Sequence, residues 1–129
     1  MKRKSANWLK IARYDLRAAE LAFSVGLHLT CVEKCHSSLE KLLKGLIVEQ
    51  DEEPERVHDL LRLISKVVVE NLQNDIYKTL DNLNGLFMLT RYPDDIELME
   101  DMLNEAYVQH ILSETKRIFR WLEKKLLTN

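Results

Sequence analysis

Glycine and proline are scarce in this chain of 129 residues, with three and two of them. So few breakers exclude turn-rich β architecture and favour long helices. Cysteine occurs twice, at Cys31 and Cys35, spaced four apart on one predicted helix. A bond between them would close a trivially short loop, so no disulfide framework is expected, and a reducing, cytoplasmic setting fits better. No excess of positive charge is present, since the formal net charge is −2. The chain therefore lacks a global field that would draw in nucleic acid or an anionic membrane. No apolar run approaches membrane-spanning length, and the basic start Met1–Ser5 is not followed by the apolar run of a signal peptide. No phosphate-cradling glycine loop, nucleophile elbow, zinc motif or paired-cysteine redox motif occurs, and no cofactor is expected.

What the chain does have is apolar residues at spacings of three and four almost throughout. The length suits one domain spanning 1–129, large enough to fold without metal or disulfide staples. The first helix is expected from the N-cap Ser5 to about Val25, stopped by Gly26. A second runs from about Leu27 to Glu49 with the stripe His28, Val32, Cys35, Leu39, Leu42, Leu46. After the acidic loop Asp51–Glu55, a third starts between Pro54 and His58 and carries Val57 through Val68. A fourth, N-capped by Asn71 or Asn74, is ended by Pro93, because a residue before proline is pushed out of the α region. The acidic segment Asp94–Asp101 then leads into a long last helix from about Asp101 to Leu127. Short connections force antiparallel neighbours, so the expected fold is an all-α, up-and-down bundle of four main helices plus a shorter fifth.

Several polar residues break this pattern. Asp15 is flanked at helical spacing by Trp8, Ile11, Ala12, Ala18, Ala19 and Ala22, so a carboxylate sits in a core-facing stripe. Unpaired it would be very costly there, and it reads either as a register-fixing ion pair, the favoured reading, or as a pocket acid. Arg91, one turn beyond Phe87, is the natural candidate partner, with Tyr92 and Pro93 holding the chain end rigid. Its guanidinium suits either that role or bidentate grip on a phosphate or carboxylate. Glu40 and Lys44 are spaced i, i+4, which alone reads as a surface pair worth about 0.3–0.5 kcal/mol. His58, followed by Asp59, reads as structural or exposed unless a partner lies within reach. His28, Cys31, Cys35 and His36 lack a second ligand cluster, and buried free cysteine is the better reading. Thr115, in an apolar neighbourhood, is expected to bond a carbonyl one turn back.

Four stretches, in order, resemble the minimal HEPN domain of prokaryotes, the helical protein often encoded beside a minimal nucleotidyltransferase. They are Trp8–Ala19 (WLKIARYDLRAA), Ser38–Gly45 (SLEKLLKG), Val57–Ile64 (VHDLLRLI) and Thr90–Asp94 (TRYPD), and the last helix through Trp121 fits the family's closing helix. The resemblance implies a five-helix bundle, commonly a homodimer. It also implies a polar cluster from Asp15, Glu40, Lys44, His58 and Arg91, with Tyr92 beside the last. One branch of that superfamily cleaves RNA with an arginine followed four to six residues later by a histidine. This chain departs from that pattern, having Ile96, Glu97 and Leu98 at those places after Arg91. The expected function is thus a non-catalytic module that dimerises, docks a minimal nucleotidyltransferase partner, or binds a nucleotide or similar anion near Arg91. The alternative is a degenerate, toxin-like endoribonuclease using Arg91 and His58.

Overall fold

Gly26, at φ +79°, turns the chain out of its first helix. Its N–H bonds to the carbonyl of Phe23, and the N–H of Leu27 reaches back to Ala22 at 2.8 Å. This is a Schellman stop, and a left-handed residue there favours glycine. The computed structural model describes residues 1–70 and 72–128, and its helices are α1 (Arg3–Ser24), α2 (His28–Glu49), α3 (Leu60–Ser65), α4 (Asn74–Arg91), α5 (Ile96–Met102) and α6 (Glu105–Leu127). Four long helices form the all-α bundle expected from the apolar spacing. α2 packs against α1, α3, α4 and α6, which places it at the centre. Its buried set therefore extends beyond one stripe to Cys31, His36, Leu43 and Ile47. No helix among the described residues is long and apolar enough to cross a membrane.

The ends depart from the sequence reading for local reasons. α1 begins at Arg3 rather than after Ser5, because the carboxylate of Glu49 accepts the N–H of its N-cap Lys2 at 2.9 Å. Ser5 is instead buried, with its hydroxyl unpartnered among the described residues. α3 starts late because Asp59 caps it, accepting from the N–H groups of Leu61 and Arg62, and just past its end the Gln50 amide holds the Lys66 carbonyl and the Val68 N–H. His58 is left in the extended segment before it, and Val68 is exposed beyond it. α4 follows Gln73 as its N-cap, so Asn74 is its first helical residue and does not cap it, while Asn71 lies outside the described residues. Its end at Arg91, two residues before Pro93, is as expected. The acidic connection contains α5, capped by Asp95 through the Leu98 N–H, and α6 starts later than expected, behind the cap Asn104. Two short helices are thus found where one was expected.

Candidate functional site

The core of the site is a buried carboxylate on the central helix. Glu40 is 2% exposed and Lys44, one turn on, is 8% exposed, so the pair is not the surface pair that its spacing suggests. Lys44 Nζ donates to Glu40 Oε2 at 3.0 Å, and Lys41 Nζ lies 3.4 Å from the same oxygen. Lys44 is roofed by Trp8 of α1, its ammonium 5.9 Å from the ring centroid. The other oxygen, Oε1, bonds His58 Nδ1 at 2.9 Å. Burial pushes the Glu40 carboxyl up, but the His58 and Lys44 bonds and the charge of Lys41 outweigh it, holding the group below the usual carboxylate range. Glu40 is therefore ionised and accepts, so His58 Nδ1 donates and its Nε2 is left with the lone pair when the ring is neutral.

His36 lies behind this pair, fully buried. Its Nε2 is 3.3 Å from Asn84 Oδ1 on α4. That oxygen also accepts the N–H of Leu60 at 2.9 Å, while Asn84 Nδ2 donates to Asp59 Oδ1 at 2.8 Å. The amide orientation is thereby fixed, and His36 must carry its proton on Nε2. Its Nδ1, without a hydrogen-bond partner among the described residues, stands 3.8 Å from Glu40 Oε1. Burial lowers the His36 pKa to about 4, against the opposing pull of Glu40. Its ring stacks on Phe87 with centroids 4.1 Å apart and planes at 16°.

Phe87 organises the outer half. His58 tilts against it at 5.5 Å, and the Arg91 guanidinium carbon lies 5.0 Å from its centroid. These side chains open onto a cavity of about 430 Å³, lined by His58, Asp59, Asn84, Phe87, Met88, Arg91 and Tyr92. Arg91 forms no ion pair among the described residues. Its charge is therefore available to the cavity.

Of the six residues singled out in the sequence, His58, Arg91 and Tyr92 line this cavity, and Glu40 and Lys44 brace it from behind. Asp15 does not join them. Its Oδ2 accepts from Ser37 Oγ at 2.6 Å and its Oδ1 lies 3.8 Å from Lys34 Nζ. The expected Asp15–Arg91 pairing is not formed, because α1 packs on α2 and α6 and finds its donors there. Sequence reasoning weighed His36 only as a metal ligand, and missed its place here together with Asn84 and the platform role of Phe87. A polar residue at i+4 from Leu80 and i−3 from Phe87 was the available signal for Asn84. Cys31 and Cys35 are free and buried, and no metal-holding group of three or more His, Cys, Asp or Glu exists among the described residues. Thr115 is buried and its hydroxyl, rather than back-bonded, has no partner among the described residues.

This fold is shared with solved structures. TT1696 from Thermus thermophilus superposes with a TM-score of 0.83 at 19% identity, over 96% of this chain and 99% of that one. ST0689, an archaeal HEPN homologue, gives 0.76 at 24% identity, over 98% and 99%. No functionally curated protein matches the sequence. The HEPN domain model matches residues 5–125, and the chain belongs to the HEPN domain family.

Proposed function

We propose that this HEPN domain is a non-catalytic binding and assembly module whose cavity takes a nucleotide or a similar anion against Arg91. The observation that carries this reading is the Arg91 guanidinium over Phe87, without an ion pair among the described residues, at the wall of a cavity of about 430 Å³. That volume lies in the range of small-ligand sites, which combine apolar walls with few polar groups. Tyr92, exposed at the cavity wall, offers surface for a planar base, and Arg91 offers paired donors for a phosphate. The likeness of the four motif stretches to minimal HEPN proteins supports the assembly part: a homodimer able to dock a minimal nucleotidyltransferase. Calorimetric titration with ATP, AMP and inorganic phosphate tests the binding part. Measurable affinity for the nucleotides is expected, and no heat from any of the three would sink it. Native mass spectrometry, alone and with a nucleotidyltransferase encoded beside the gene, tests the assembly part, which a lone monomer under both conditions would refute.

One observation favours a second reading, an endoribonuclease. Buried Glu40 fixes the His58 ring with Nε2 free, and His58 shares its cavity with Arg91. In this mechanism His58 Nε2 takes the 2′-hydroxyl proton, the 2′-oxygen attacks phosphorus and the 5′-oxygen leaves, with Arg91 holding the phosphoryl charge. The missing arginine–histidine spacing speaks against it. RNA cleavage that survives both Arg91→Ala and His58→Ala would eliminate it.

A further inference from the structure

The outer face of α1 carries an apolar seam that nothing among the described residues covers. Ile11, Tyr14, Ala18, Leu21 and Val25 follow one another at spacings of three, four, three and four, a coiled-coil seam of about 21 Å at 1.5 Å per residue. Tyr14, Leu21 and Val25 are each more than half exposed. Lys10 and Arg17 flank this seam without an ion pair among the described residues.

A second uncovered apolar surface has the opposite charge. The end of α4 and the whole of α5 enclose a groove of about 200 Å³ whose walls include Leu89, Tyr92, Leu98 and Met102. Asp94 and Asp95 stand on it, and Glu97, Glu100 and Asp101 are exposed beside it on α5. Glu97 and Glu100 form no ion pair among the described residues. The two surfaces adjoin at one corner, where Gly26, Leu27 and His28 after α1 meet Ile96 and Glu100 of α5. His28 Nδ1 bonds the carbonyl of Leu103 there at 2.8 Å.

We propose that two copies of the chain associate reciprocally, the basic-flanked seam of α1 in one protomer lying in the acid-rimmed α4–α5 groove of its partner. A two-fold axis near the shared corner makes the same contact twice and closes the assembly. Opposite charges set the register, and the seam and groove supply the apolar area. The inference rests on the reading that the chain assembles, and it names the faces.

Size-exclusion chromatography with light scattering tests it on three proteins: the wild type, Lys10→Glu/Arg17→Glu, and Glu97→Lys/Glu100→Lys. A wild-type dimer, two monomeric variants, and a restored dimer in their equimolar mixture are expected. In the mixed dimer both contacts are again between opposite charges. A wild-type monomer overturns the inference together with the assembly reading. A wild-type dimer with either variant still dimeric alone, or a mixture that stays monomeric, overturns these faces only. The wild-type dimer must also weaken as salt rises, a reading free of any substitution, and a dimer strengthened or unmoved by salt overturns them too.

Discussion

Glu40 divides its two oxygens between the bundle interior and the cavity: Oε2 holds Lys44 at 3.0 Å, and Oε1 holds His58 at 2.9 Å. One buried carboxylate thus couples the packing of the central helix to the orientation of a ring in the cavity wall. Removing one partner of a buried pair leaves the other charge stranded, at a cost of about 3–5 kcal/mol. Glu40→Gln and Lys44→Met should each lose stability on that scale in guanidinium chloride unfolding. The double variant Glu40→Leu/Lys44→Met should lose less than either, since apolar residues of similar volume replace the pair. A double variant as unstable as the sum of the singles would show that the two charges act independently.

Stability should fall with acid in a window set by His36. Unfolded, this histidine takes a proton near its ordinary value of 6.5; folded, it does so only near pH 4. Between those values the unfolded chain binds more protons, so stability rises with pH. The contribution is complete above pH 6.5 and is lost as pH falls through about 4; at 1.36 kcal/mol per pH unit it amounts to about 3 kcal/mol. Glu40, also held below its usual range, adds loss in the same direction in more acidic solution. His36→Phe keeps a ring on Phe87 and removes the titrating site, so its stability should vary less between pH 4 and 6.5 than that of the wild type. Denaturant unfolding across this range would show parallel curves for the two proteins if His36 were not the cause.

The long helices and two of their ends were legible in the sequence, because apolar spacing over many turns and the stops at Gly26 and Pro93 act locally. α5 was not, since seven residues rich in Asp and Glu give too short a run for a period to emerge. The bounds of α3 depend on two side chains, Asp59 capping its start and Gln50 holding the backbone beyond its end. In the site, motif likeness picked out Arg91, Tyr92 and His58, which share a cavity. The burial of Glu40, Lys44 and His36 was hidden for a three-dimensional reason. α2 is covered by helices on several sides, so polar residues off its apolar stripe are enclosed by α1, α3 and α4. Asp15 was correctly read as buried, but its partners came from the neighbouring helix rather than from the far end of α4.

Arg91 and the fold should separate cleanly. The side chain is exposed and touches the Phe87 face, a contact worth about 0.5–1 kcal/mol. Arg91→Ala should therefore shift the melting temperature little while weakening nucleotide affinity at least about tenfold, the loss of one charge-assisted contact of about 1.5–3 kcal/mol. Arg91→Lys should recover only part of it, because an ammonium cannot present two parallel donors. Equal affinities in wild type and Arg91→Ala would remove Arg91 from the site.

Asp15 should behave in the opposite way. Its carboxylate joins α1 to α2 through Ser37 Oγ at 2.6 Å, and it lines no part of the Arg91 cavity. Asp15→Asn and Ser37→Ala should each cost about 1.5–3 kcal/mol, the range for a charged hydrogen bond. Their combination should fall short of the sum, since both remove the same bond. Nucleotide titration should give wild-type affinity for both. A binding defect in Asp15→Asn without loss of stability would make it a pocket acid after all.

Two glycines in helices offer a controlled comparison of packing against propensity. Alanine is favoured over glycine inside a helix by about 1 kcal/mol, so Gly→Ala in open space stabilises. A Cβ at Gly85 would meet nothing within 4 Å, and Gly85→Ala should gain stability by about that amount. A Cβ at Gly45 would lie 3.0 Å from Trp8 Cβ. That atom is fixed to the α1 backbone and cannot swing aside as a side-chain tip could. Relief requires α1 to move as a body, which also loosens the Trp8 roof over Lys44 and the Asp15–Ser37 bond. Overpacking of this kind costs about 1–3 kcal/mol, and with a backbone-fixed neighbour that cannot give it outweighs the propensity gain. Thermal melts of the two variants should therefore move in opposite directions from the wild type, Gly85→Ala upward and Gly45→Ala downward. A rise in both would mean that α1 and α2 do not approach this closely at Gly45.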